Sequence, residues 1–127
     1  IGEIASLNKF FFLRRKNVEL LGIKKDIKRY VKSSFCGLAN LQISTGVQGK
    51  VLTYMAHRLP VICSHNVAKN FGTSVISYKK NEDLIKIILD LRKNKHKSNN
   101  FSKRSFKHIK KFSWKSISLK YLKLLNF

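Results

Sequence analysis

Acidic residues are scarce in this chain. Its 127 residues hold six Asp and Glu against 27 Lys and Arg, a formal net charge of +21. Such a balance draws a domain toward nucleic acid, anionic lipid or phosphorylated ligands. It also arises from composition alone. Lys, Asn, Ile and Phe are all abundant, as in AT-rich coding DNA, and solvated faces then fill with lysine. Cysteine is nearly absent too. Cys36 and Cys63 sit beside apolar strand-like runs, with no CxxC and no metal-ligand spacing. That excludes a disulfide scaffold and predicts two buried, reduced thiols in a cytoplasmic domain. His57, His65, His96 and His108 form no HxxxH and no His–carboxylate spacing, so no metal site is expected. No apolar run approaches the ~20 residues of a membrane span. At the N-terminus, "IGEIASLNKFFFLRRK" places its basic residues after the apolar part, the reverse of a secretory signal. The chain opens on Ile rather than Met, which suits a piece of a longer sequence.

Glycine and proline are few, six and one. Elements therefore run long between breaks, and two periodicities alternate. Strand-type runs are "VELLG" (18–22), "CGLANLQI" (36–43), "PVICS" (60–64) and "SVISY" (74–78). Between them lie helical patterns. Asp26 to Ser34 puts Ile27, Tyr30 and Val31 on one face, and Lys50 to Ala56 presents Val51, Leu52, Met55 and Ala56. Asn81 is placed to cap a helix with Glu82 and Asp83 in its first turn and Arg92 and Lys93 in its last, matching the helix dipole. Its expected core face is Leu84, Ile85, Ile88 and Leu89. Strands alternating with helices of this length predict βαβ units and a parallel sheet.

Beyond residue 90 the character changes. From Leu91 to Phe127 there are twelve Lys or Arg and no acid. "NKHKSNN" (94–100) reads as a polar loop. "FSKRSFKHIKKF" then places Phe101, Ser105, Phe106, Ile109 and Phe112 near one stripe. Ser113 suits an N-cap for a last helix with Trp114, Ile117, Tyr121, Leu124 and Leu125 on a common face. Two basic amphipathic helices suit a membrane surface or nucleic acid. Packing on the sheet with lysines in water is the expectation adopted, with Trp114 and Phe112 in the core.

The stretch "STGVQGKVLTYMAHRLPVICS" (44–64) carries the most chemistry. It is no P-loop: that motif needs Gly where Ser44 stands and Ser or Thr where Val51 stands. The GxGxxG dinucleotide fingerprint is missing as well. What remains is a strand ending near Ser44, a turn, and a helix beginning near Gly49. In an open parallel sheet, ligands bind beyond the carboxyl ends of the strands. The free N–H groups of Val47, Gln48, Gly49 and Lys50 would face that crevice with the positive end of the helix dipole, which suits a phosphate or pyrophosphate. An ordinary strand-to-helix turn without a ligand fits the same residues.

Taken together, the "LLG" turn with a helix after Asp26, the "KVLTYMAHRLPVI" segment and the "SW" that opens the last helix resemble the second half of a family 4 glycosyltransferase. The likeness runs from about Gly2 to the end. It implies a Rossmann-like parallel sheet with flanking helices, the C-terminal half of a GT-B fold lacking its first strand and ending in basic helices. Residues 1–127 would then form a partial donor-binding domain, of which 91–127 are the basic helical segment. The resemblance implies a retaining hexosyl transfer from a UDP- or GDP-linked sugar to a cell-envelope or lipid-linked acceptor, without metal or cofactor. It puts Gly22 and Ile23 at the nucleotide base, and Thr45, Gly46, Val47, Gln48, Gly49, Lys50 and Thr53 along the sugar, diphosphate and ribose.

Two departures stand out. Thr45 and Thr53 occupy positions where the family carries acids, and a neutral hydroxyl replaces a charge-assisted, often bidentate acceptor. Gly46 and Lys50 fit a Gly-x-x-x-Lys variant that lacks the first acid. Arg58 stands where the family has a helix-closing glycine, and a left-handed cap there costs a non-glycine residue ~1 kcal/mol. These features predict a chain inactive alone, at the inner face of a membrane or free in the cytoplasm. Its partners would be a nucleotide-diphosphate sugar, a separately encoded N-terminal half and an anionic membrane surface. Alternatives are a non-catalytic nucleotide-sugar-binding fragment and, less favoured, a basic nucleic-acid or membrane-surface protein.

Overall fold

A computed structural model describes residues 16–125. The N-terminal apolar segment read above lies outside them. Three strands, β1 (Gly37–Ala39), β2 (Val61–Ser64) and β3 (Ile76–Tyr78), form a parallel sheet in the order β1-β2-β3. Gly37 pairs with Val61 and Ile62 with Ile76. The helices are α1 (Lys28–Lys32), α2 (Gly49–Ala56), α3 (His65–Ala68), α4 (Asn81–Lys93), α5 (Lys95–Ile109) and α6 (Trp114–Leu124). Short 3-10 turns cover Gly72–Ser74 and Lys110–Phe112. The expected α/β class with a parallel sheet and flanking helices is present.

Side chains alternate across a strand, so β2 feeds two cores. Val61 and Cys63 pack with Ala39, Val51, Met55, Val67, Phe71 and Val75 on one face. Ile62 packs with Tyr78 and Leu91 on the other, helped by Leu84, Ile87, Ile88 and Phe101. A parallel strand covered on both faces reads as a continuous apolar run, which is what "VIC" is. Pro60, with no N–H to lose, stands just ahead of β2, and its carbonyl accepts from the Gly37 N–H at 2.9 Å.

Several expectations change in the structure. Residues 18–22 form no strand, because a strand needs a neighbour for its backbone groups and none lies there among the described residues. The run 36–43 is a strand only over Gly37–Ala39, where β2 pairs with it. In α4 the core face is Leu84, Ile87, Ile88 and Leu91, while Ile85 and Leu89 face solvent. Docking on Ile62 and Tyr78 selects that i, i+3, i+4, i+7 row over the neighbouring one. Lys80 rather than Asn81 is the N-cap position, its N–H bonded to the Asp83 carboxylate at 3.3 Å.

The polar run 94–100 is helical, not a loop. Asn94 caps α5 by accepting from the Lys97 N–H at 2.9 Å, and Lys97 pairs with Asp90 of α4. Packing of Phe101, Ser105 and Ile109 draws the helix on, and the cap lets it begin early. Helix α5 closes the amino ends of the strands. The Ser105 hydroxyl, fully buried, donates to the Ser74 carbonyl at 2.6 Å just before β3. The Ser102 hydroxyl donates to the carbonyl of Arg58, the residue that closes α2. Arg58 has the expected left-handed backbone, φ 57°, and its guanidinium lies 4.3 Å from the Phe106 ring centroid. That stacking offsets part of the strain. Trp114, expected in the core, is exposed, and α6 buries no residue.

Gly37 in β1 is a position of close approach. A Cβ there would stand 2.3 Å from Tyr54 ring carbons and 2.8 Å from its Cβ. Gly37→Ala therefore overpacks the contact between α2 and β1, and a loss of about 1–3 kcal/mol is expected in urea unfolding. The same substitution should cost clearly less in a Tyr54→Ala background, because the clash partner is gone. Equal costs in both backgrounds would refute the contact.

Candidate functional site

With α5 across the amino ends, the carboxyl ends of the strands are where the loops gather. Residues 40–48 leave β1 there and lead into α2. The loop is pinned to the element after β2. The Ser64 hydroxyl donates to the Leu41 carbonyl at 2.6 Å and lies 3.3 Å from the Leu41 N–H as its acceptor. Asn66 donates to the Gln42 carbonyl at 2.6 Å. Asn70 donates to the Gly46 carbonyl at 2.9 Å and reaches the Ser44 hydroxyl at 3.4 Å. Gln48 also reaches the Ser44 hydroxyl, at 3.4 Å. Gly46 takes φ +78°, a left-handed turn that glycine enters without strain.

The result is a loop carrying free donors. Gln48 is the N-cap of α2 and offers no side-chain cap bond. The N–H groups of Val47, Gln48, Gly49 and Lys50 find no acceptor among the described residues. Open space surrounds the positions where a Cβ would stand on Gly46 and Gly49. Lys50 is exposed in the first helical turn. These are the elements of an anion cradle: free donors, the positive end of a helix dipole, and a nearby ammonium.

The residues expected at a donor site are only partly gathered. Thr45 to Lys50 form one continuous stretch, and Thr53 lies one turn into α2. The Thr53 hydroxyl donates to the Gly49 carbonyl at 3.0 Å, so it has only lone pairs left to offer a ligand. Gly22 has the left-handed backbone of a turn, φ +61°, and Ile23 is 76% exposed. No hydrogen bond joins that turn to residues 45–53 among the described residues. A separate cleft of about 270 Å³ lies between Leu21, Tyr30, Val31, Leu38 and Tyr54. Its lining is mixed, with Ser34 and Cys36 among the apolar residues, and it shares none of the cradle's residues.

Sequence reading missed Ser64, Asn66 and Asn70. The available signal was two asparagines spaced i, i+4 directly after a strand, in "SHNVAKN". Nothing in the cradle is a carboxylate, since the chain has no Asp or Glu between Asp26 and Glu82. The thiols offer no nucleophile either. Burial pushes Cys63 up to about 12 and raises Cys36 as well, which keeps both protonated at neutral pH. The arrangement can bind an anion; it shows no acid–base pair. Among the described residues no group of His, Cys, Asp and Glu could hold a metal ion.

No protein-family model, curated protein or solved structure matches the chain.

A second cluster of charge sits at the other end of the sheet. Arg104, Lys107, His108 and Lys111 surround a small cleft of about 150 Å³ beside Ser74. Burial and, after it, the charge of Lys111 hold His108 below its ordinary pKa. The folded chain thus takes up this proton less readily than the unfolded one. Stability linked to His108 is complete above the unfolded value of about 6.5 and is lost as pH falls through the lower folded value. Urea midpoints should fall as pH drops below about 6.5, and His108→Gln should flatten that slope. An unchanged slope in the variant would remove His108 as the cause.

Proposed function

We propose that this chain is the nucleotide-sugar-binding half of a GT-B glycosyltransferase of the family 4 type. The observation that carries the reading is the run of free N–H groups from Val47 to Lys50, set at the start of α2 beyond the carboxyl end of β1. Three other features support it. The sheet is parallel, its amino ends are closed by α5, and Ser64, Asn66 and Asn70 hold the loop in shape before any ligand arrives. A preshaped loop loses less freedom on binding, which favours affinity.

In this reading the diphosphate rests on the amides of Val47, Gln48 and Gly49 with Lys50 alongside. Gly22 and Ile23 meet the base, and Thr45 and Gly46 flank the donor sugar. Thr53 faces the ribose with a neutral acceptor where a carboxylate would hold the hydroxyls more tightly. The donor is UDP- or GDP-linked and the acceptor a cell-envelope or lipid-linked sugar. During transfer, charge builds on the leaving diphosphate, and oriented N–H groups stabilise it there. The acceptor is bound by a second half, so these 127 residues alone bind the donor without transferring it.

A complementing second half is favoured by one further observation. Among the described residues β1 is an edge strand, with β2 as its one neighbour. Unpaired edges recruit strands from elsewhere. Work on lipid-linked sugars would place the pair at the inner face of a membrane.

The test is an amide-resolved NMR titration with UDP, GDP and their sugars at moderate salt. Saturable shifts confined to Gly46–Thr53 and the turn at Gly22 are expected. Asn70→Ala should weaken binding by freeing the loop. Thr53→Glu should strengthen it by roughly tenfold or more, the effect of a charge-assisted hydrogen bond worth about 1.5–3 kcal/mol. A folded spectrum indifferent to every nucleotide, or shifts spread over lysines and abolished by salt, would sink the reading.

A further inference from the structure

Helix α6 has a stripe that nothing among the described residues covers. At roughly 100° per residue, Trp114, Ile117, Tyr121, Leu124 and Leu125 fall on one side. Trp114 is 87% exposed, Tyr121 64%, Leu124 78% and Leu125 65%. The helix is held by polar links at its start instead of apolar packing. Ser113 accepts from the Ser116 N–H at 3.2 Å, and the Ser116 hydroxyl donates to the Lys110 carbonyl at 2.9 Å. Lys115 and Lys123 stand away from the stripe, and Lys120 borders it. No helix among the described residues is long and apolar enough to cross a membrane.

Charge decides among the candidate covers. A second copy would bring another +21 against the first, which opposes a self-contact through this face. Nucleic acid would satisfy the lysines and leave four large apolar side chains in water. An anionic bilayer satisfies both. It takes leucines into the acyl boundary, seats Trp and Tyr rings at headgroup depth, and meets lysines with phosphates. The twelve cations and absent acids from Leu91 onward extend that attraction over the whole segment.

We propose that α6 lies in the interface of an anionic lipid bilayer, with Trp114, Tyr121, Leu124 and Leu125 inserted and Lys115, Lys120 and Lys123 at the phosphates. The inference deepens the membrane location proposed above and rests on that part of the reading alone. It does not depend on nucleotide binding.

Trp114 is the chain's single tryptophan and reports on the helix directly. The full chain would be mixed with vesicles of phosphatidylcholine, with and without phosphatidylglycerol. Expected are a blue shift of Trp114 emission, quenching by brominated acyl chains, and partition about tenfold or more tighter to the anionic vesicles. The double variant Leu124→Glu, Leu125→Glu changes exposed residues only. It should keep its circular dichroism and lose most of the partition. Sedimentation without a blue shift would reduce the contact to surface charge and overturn the insertion. So would unaltered partition by the double variant, or a blue shift without lipid that grows with protein concentration. A chain that ignores vesicles yet shifts with UDP loses this proposal and keeps the donor site; the opposite pair of results does the reverse.

Discussion

The fold depends on β2. A parallel strand leaves its backbone groups unsatisfied unless both edges are paired, and its side chains unsheltered unless both faces are covered. β2 alone among the three strands meets all four conditions, paired with β1 and β3 and fully buried at Val61, Ile62 and Cys63. Every other element can be described by its relation to it. α2 and α3 cover one face, α4 the other, and α5 closes the amino end. The parts that do not pack on β2 add least to the core: residues 18–22 form no strand and α6 buries no residue.

That arrangement explains where function is to be sought. Helix α5 ties down Arg58 and Ser74, the backbone just ahead of β2 and β3, so the amino ends of the strands are occupied. The carboxyl ends carry the loop 40–48. Its shape comes from side chains after β2, and its conformation at Gly46 is one that only glycine enters freely. The free amides there are a consequence of the helix beginning without a side-chain cap. A helix start that spends no side chain on its own donors keeps them for an anion.

The extreme basicity divides into separate roles. Lysines of the first half decorate helices whose other side is in the core, as composition alone would produce. Those of α6 share their helix with an exposed apolar stripe, which Lys120 borders, and there charge and hydrophobicity point to one kind of surface. Arg104 and Lys110 lie over Phe101 and Phe106, at 5.2 and 5.9 Å from the ring centroids. There the cation shelters an aromatic face as well as meeting water.

Local pattern was enough for much of the chain. Period-two and period-three-and-a-half runs placed β2, β3, α2, α4 and the Ser113 cap of α6, because each is dictated by residues close in sequence. The glycine turn into α2 and the strain at Arg58 were legible for the same reason. Four things depended on contacts distant in sequence. Residues 18–22 formed no strand for want of a neighbour among the described residues, and α4 turned its Leu91 face inward because Ile62 and Tyr78 were there to receive it. The polar run 94–100 became helix because packing further along α5 outweighed its composition. Asn66 and Asn70 acquired a role only when the sheet set them beside residues 42–46. Whether an amphipathic helix meets its own core is likewise a tertiary question. For α6 the core was already filled by α2, α3, α4 and α5, so a stripe that sequence reading assigned to the interior stands in solvent.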